Sequence, residues 1–280
     1  MGALAPFYDL MGLIYEPLFM RRSAAAILFL TWAASTCGVL VVNRRMAFFP
    51  DAVGHSVFAG VALALIFRLD VQAAILILGL LIGFLITFLS RRGPLAPDTV
   101  IGLVFSWSVA LGLGLVSRQP RAAAGLSRFF LGDALTVTDG QVLALLAVAL
   151  ACLLFMALFA NRLTLSAVGP SVGRSGRGAE YVFGAFLAVV VMIAVQAVGV
   201  LLVTALLVAP AATGRLIATS FKGMFWTAAA CGVAAGQLGL WASFQPAVNT
   251  SVGASVVLVN IVFFGLALAA RSLRSGRRSE

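Results

Sequence analysis

The chain has 280 residues, of which 62% are hydrophobic and only 10% charged, a composition outside that of a soluble globular domain. Its formal net charge of +10 does not point to nucleic acid, because the basic residues mostly flank long apolar runs, where they set topology and meet lipid headgroups. The runs are long enough for helices and lack the alternation of a membrane barrel, so the expected fold class is all-α, a polytopic integral membrane helical bundle.

The first 22 residues, MGALAPFYDLMGLIYEPLFMRR, carry acids ahead of their basic pair. The apolar run that follows extends well beyond a signal h-region, so the first span is expected to stay in the mature protein. Apolar runs cover 23–42, 47–67, 71–90, 98–117, 141–160, 181–196, 199–213, 223–241 and 252–270, and the chain closes on a basic tail at 271–280. No soluble domain or linker interrupts them, and 1–280 reads as one transmembrane domain of eight or nine membrane segments. With the tail inside and nine segments, Arg44, Arg45, Arg91, Arg92, Arg215 and Lys222 fall on the cytoplasmic side. Asp9, Glu16, Asp70, Asp133 and Asp139 then fall outside, an asymmetry that favours an external N-terminus. If 181–213 is a single bent helix, the count is eight and the N-terminus moves inside.

Within the second run, in FFPDAVGHSVFAG, Asp51 and the chain's only histidine, His55, stand four residues apart. On a helix this spacing puts both side chains on one face, separated by about 6 Å along the axis, within reach of one small cation. Ionisable residues at membrane depth are costly and mark paired or functional sites. The structural alternatives are a helix cap for Asp51 and an imidazole bonded to a neighbouring backbone carbonyl for His55. Two donors cannot close a cation site, since zinc takes four and manganese more; two copies of the chain on a symmetry axis offer up to four.

Gly79 with Gly83 and Gly232 with Gly236 have the G-x-x-x-G spacing, read here as packing within the subunit. The connection after the fourth run is the longest external one, suited to a short amphipathic helix, and its Thr138 and Gln141 fit a capping box that opens the fifth helix. Asp133 and Asp139 in the same stretch read as solvated or capping. The seventh run, GVLLVTALLVAP, is short for a span and is read as a half-helix or one arm of a bent helix, placed inside the bundle by the break at Val198–Gly199 and by Pro210. Gln196 and Asn260 read as interhelical hydrogen-bonding residues. Cys37, Cys152 and Cys231 fall singly in three different runs and read as small buried hydrophobes. The only lysine, Lys222, lies in no phosphate-binding loop, so any ATP hydrolysis belongs to another polypeptide. A single histidine also excludes the H-E-x-x-H metalloenzyme pattern.

Five stretches in order, EPLFMRRSAAAI, PDAVGHSVFAGVAL, FFLGDALTVTDGQ, VGVLLVTALLVAPAATGRLIA and SVGASVVLVNIVFF, resemble the permease subunits of ATP-driven importers for divalent metals of the zinc and manganese type. The resemblance covers nearly the whole chain. It implies a multi-pass protein of the bacterial plasma membrane that is not itself an enzyme and works as a homodimer. The implied partners are a separate cytoplasmic ABC ATPase and an extracytoplasmic metal-binding protein. No cofactor is implied; the metal, whether zinc, manganese or iron, is cargo, and ATP belongs to the partner. The resemblance also assigns metal handling to Asp51 and His55, and ATPase docking at a cytoplasmic turn to Ala211, Ala212, Thr213, Gly214 and Arg215. Departures from the family pattern are Pro50 for glycine, Gly54 for serine, Ala59 for proline and Gly214 for alanine. At 165–180 a basic, glycine-rich stretch replaces an acidic one. A permease for a metal chelate of siderophore or cobalamin type is the neighbouring alternative, and a gradient-driven secondary transporter a more distant one, since only one helix interruption is visible where such proteins show two.

Overall fold

The computed structural model describes residues 8, 11, 17–92, 94–117, 135–168, 177–246 and 250–276. Among them there are nine long helices and no strand. These are α1 (Leu18–Asn43), α2 (Phe49–Phe67), α3 (Val71–Arg92), α4 (Pro97–Val116), α5 (Asp139–Val168), α6 (Arg177–Val198), α7 (Val200–Ile217), α8 (Phe221–Ser243) and α9 (Val252–Gly276). All but α8 are long and apolar enough to cross a membrane. The 23-residue α8 carries Lys222, Thr227, Gln237 and several glycines, which lower its hydropathy.

Local chemistry sets the helix ends. Pro50 and Pro97 sit in the first turns of α2 and α4, where a missing N–H costs nothing. The α2 helix closes on Arg68 in the left-handed region, φ 54°, with its N–H on the Ala64 carbonyl. The capping box on α5 forms as expected: the Thr138 N–H donates to Gln141 Oε1 at 2.9 Å, and the Gln141 N–H donates back to Thr138 Oγ1 at 3.4 Å. Ser220 caps α8 by accepting from the Gly223 N–H at 3.1 Å.

Several helices outrun their apolar runs. The α1 helix begins at Leu18, because Arg22 is held by Asp139 in a forked ion pair, Nε to Oδ1 at 2.8 Å and Nη2 to Oδ2 at 2.9 Å. Asp139 therefore anchors α1 and is not simply solvated. Tyr8 also donates to Asp139, at 3.0 Å, and burial together with that carboxylate holds its hydroxyl above the usual range. The stretch at 165–180, read as a loop, is helical up to Val168 and again from Arg177. Residues 169–176 lie outside the described residues. The seventh run, short by hydropathy, continues through Pro210 to Ile217 and forms an 18-residue helix. The break before it is a single residue, Gly199 at φ 90°, a conformation that favours glycine. Residues 118–134, where the external amphipathic helix was expected, include Asp133 and lie outside the described residues.

The chain divides into two compact units. One comprises Met1–Val42, Asp133–Leu154 and Ala205–Glu280; the other comprises Asn43–Gly132 and Phe155–Thr204. In the second unit α2 packs on α3, α4 and α6, and α3 packs on α4 and α6. Gly79 and Gly83 make the α3–α6 approach possible: a Cβ at Gly79 would lie 2.5 Å from Met192 Cγ, and one at Gly83 2.7 Å from Ala188 Cβ. In the first unit Gly232 lies against Ser35, and a Cβ at Gly236 would lie 2.6 Å from Thr31 Cγ2, so both face α1. Gly38 on α1 in turn lies against the Leu207 carbonyl of α7. Both G-x-x-x-G pairs thus pack within the chain, where dispersion between close backbones replaces the hydrophobic effect. Asn260 differs from expectation: its amide donates to the Val256 carbonyl, one turn back in its own helix, at 3.0 Å. Gln237 makes an interhelical bond, its Nε2 donating to the Ala24 carbonyl at 3.1 Å.

Candidate metal-handling site

Asp51 lies in the first turn of α2 and His55 one turn later, both half-buried in the second unit. The two are joined through the backbone: His55 Nδ1 is 2.8 Å from the Asp51 carbonyl oxygen. A carbonyl only accepts, so Nδ1 carries the proton and the lone pair of the neutral ring resides on Nε2, the arrangement found in metal-binding histidines. The imidazole stands edge-on to Phe58, with ring centroids 5.8 Å apart, and to Phe105 of α4, with centroids 5.0 Å apart. Of the two structural alternatives, the backbone-bonded imidazole is present. The Asp51 cap is not: α2 has no side-chain bond at its N-cap, Phe48. Among the described residues no three metal-ligating side chains come together.

The departures around this motif have local causes. A Cβ at Gly54 would lie 3.0 Å from Val200 Cγ1, so the glycine admits the branched side chain of Val200. Ala59 is buried, and a Cβ at Gly112 of α4 would come within 3.0 Å of its amide nitrogen. The α2 helix runs unbroken through both positions.

Ala211, Ala212, Thr213, Gly214 and Arg215 lie in the last turns of α7, ahead of the connection at 218–220. Ala211, Thr213 and Gly214 are buried in the first unit and Arg215 is exposed. A Cβ at Gly214 would lie 2.7 Å from the Met224 carbonyl, which accounts for glycine where alanine is usual. Arg215 Nη1 reaches the Val42 carbonyl at 3.4 Å.

Two groupings carry no signal in the sequence. Glu180, the acid at the end of the basic stretch, is buried and pairs with Arg44 at 3.3 Å and with Arg91, while the Arg44 guanidinium lies over the Phe183 ring. Cys37 of α1 and Cys152 of α5, read as isolated, are in contact, with their sulfurs 3.4 Å apart and both side chains buried. Helix packing joins these residues across long stretches of chain, so no short spacing announces them.

Residues 16–271 match the family model described as the ABC 3 transport family. The chain belongs to the ABC-3 transport family. Among its ABC-3 relatives is the manganese import system permease protein ScaB of Streptococcus gordonii, 30% identical over 88% of this chain and 89% of ScaB. The zinc transport system membrane protein TroC of Treponema pallidum is 32% identical over 91% of this chain and 90% of TroC. PsaBC from Streptococcus pneumoniae, solved in complex with Fab, superposes with a TM-score of 0.75 at 28% identity, covering 94% of this chain and 95% of the other. This ABC-3 protein is a multi-pass membrane permease of the kind found in ABC manganese and zinc import systems, without a catalytic step of its own.

Proposed function

We propose that two copies of this permease form the membrane path of an ATP-driven importer for a divalent transition-metal ion, with Asp51 and His55 of each copy as its protein ligands. The observation that carries the reading is the state of His55: Nδ1 is committed to the Asp51 carbonyl at 2.8 Å, which puts the lone pair on Nε2 one turn from a carboxylate. Manganese and zinc in the names of ScaB and TroC support a naked cation over a chelate, which needs a wider path and no direct ligands. Two copies supply four donors, and water completes the shell in transit. The two compact units act as one permease domain.

A separate cytoplasmic ATPase supplies the energy, and an extracytoplasmic binding protein delivers the ion. The ATPase docks at the end of α7, where Arg215, Thr219 and Ser220 are exposed while Ala211, Thr213 and Gly214 fix the helix end from within. Uptake of manganese and zinc by cells producing Asp51→Ala or His55→Ala tests the site. Each variant is expected to lower uptake at least tenfold at unchanged membrane abundance. Undiminished uptake in both would return the pair to a packing role.

A further inference from the structure

We propose that the end of α3 carrying Arg91 and Arg92 binds the phosphate of an anionic phospholipid, whose acyl chains lie along the apolar face of the same helix. The site is built within the second unit and does not depend on the role given to Asp51 and His55.

Three guanidiniums gather here around one carboxylate. Buried Glu180, in the first turn of α6, pairs with Arg44 at 3.3 Å and with Arg91, and Arg44 also lies over Phe183, 5.7 Å from the ring centroid. The two pairs are unequal. The side chains of Glu180 and Arg44 are 10% and 11% exposed, whereas that of Arg91 is 37% exposed, so Glu180 seats Arg91 while part of its fork faces outward. Arg92 stacks on Phe88, its guanidinium carbon 4.4 Å from the ring centroid. Contact through the guanidinium face leaves the in-plane N–H donors uncovered, and among the described residues no carboxylate pairs with them. The excess positive charge therefore rests on planar donor forks, the geometry that takes phosphate through paired hydrogen bonds.

The surroundings of these cations select a lipid over a soluble partner. Ile77, Leu81 and Phe84 are exposed on α3, and with Phe88 and Arg92 they follow the three- and four-residue steps of one helix face. On that face Phe84 stacks on Phe88, with ring centroids 6.0 Å apart, and meets Tyr181 of α6 at 5.8 Å. The rise from Ile77 to Arg92 is about 22 Å, longer than the roughly 15 Å of one leaflet's hydrocarbon. An acidic protein matches the arginines but not an apolar stripe of that length running on from them. A lipid matches both, with its phosphate at Arg91 and Arg92 and its chains beside Phe84, Leu81 and Ile77. The charge asymmetry of the chain puts this end of α3 at the cytoplasmic leaflet, where basic sites between helices hold anionic headgroups.

The test titrates the purified full-length permease in detergent with dioleoyl phosphatidylglycerol or dioleoyl phosphatidylcholine and counts bound lipid by native mass spectrometry. One basic side chain at an anionic surface is worth about fivefold in affinity. Phosphatidylglycerol is thus expected to bind about 25-fold more tightly than phosphatidylcholine, and Arg92→Gln, which leaves the Glu180 pairs in place, to lose about fivefold of that preference. Arg271→Gln removes an exposed arginine of α9 and measures attraction to any basic residue; it leaves the preference unchanged. Inorganic phosphate at the same concentration does not displace the lipid, because it has no chains to lay on α3. Equal binding of the two lipids, wild-type preference in Arg92→Gln, an equal loss in Arg271→Gln, or displacement by inorganic phosphate would each overturn the proposal. So would a preference that vanishes when the permease is assembled with its ATPase, which assigns the patch to a protein partner.

Discussion

Cys37 and Cys152 show how much a single residue's meaning depends on its neighbours. In the sequence each is one small apolar residue in a long apolar run; in the fold their sulfurs touch at 3.4 Å across α1 and α5. A disulfide requires them to approach by about 1.4 Å, within reach of side-chain rotation. Oxidation of the purified protein with copper phenanthroline is therefore expected to remove two thiols and form an intramolecular bond. Maleimide counting and intact mass check this: the bond should form in Cys231→Ser and be absent in Cys37→Ser. Retention of all three thiols would mean that α1 and α5 do not approach as described. Glu180 teaches the same lesson, since a lone acid in a basic stretch gives no hint that Arg44 and Arg91 will both reach it. Asp51 and His55 were legible, because four-residue spacing on a helix is local geometry.

Helices and their ends were legible for the same reason. Periodicity and the Thr138–Gln141 box act within a few residues, and the box forms where the sequence put it. The errors came where hydropathy stood in for helicity: Gly214 and Arg215 end the apolar run of α7 but not its hydrogen bonding, and Leu165–Val168 continues α5 into a stretch read as loop. Between elements, the fit of Val200 to Gly54 is the contact most open to test. Gly54→Ala sets a methyl 3.0 Å from Val200 Cγ1 and is expected to lower stability by about 1 kcal/mol, as modest overpacking does. Adding Val200→Ala should recover part of that loss. Thermal unfolding in detergent reads both, and strictly additive losses would show that the two residues are not coupled.

For the whole molecule the absence of any phosphate-binding loop from the sequence makes a firm demand. Permease reconstituted alone in liposomes should not accumulate manganese or zinc, whereas permease with its ATPase and ATP should; full-rate accumulation by the permease alone would rule out ATP-driven coupling. The division into two compact units was not legible, since it joins segments far apart in the chain and the apolar runs resemble one another. Within the first unit, Gly38, Gly232 and Gly236 all lie on contacts of α1, against Leu207, Ser35 and Thr31. No side chain is smaller than the one they lack, so every missense change in those codons adds atoms to a closed seam. Exposed positions of α9 such as Leu258, Ile261 and Leu266 can exchange among apolar residues freely. Sequence drift in this gene is thus channelled outward, and the seam along α1 is the part its descendants must inherit intact.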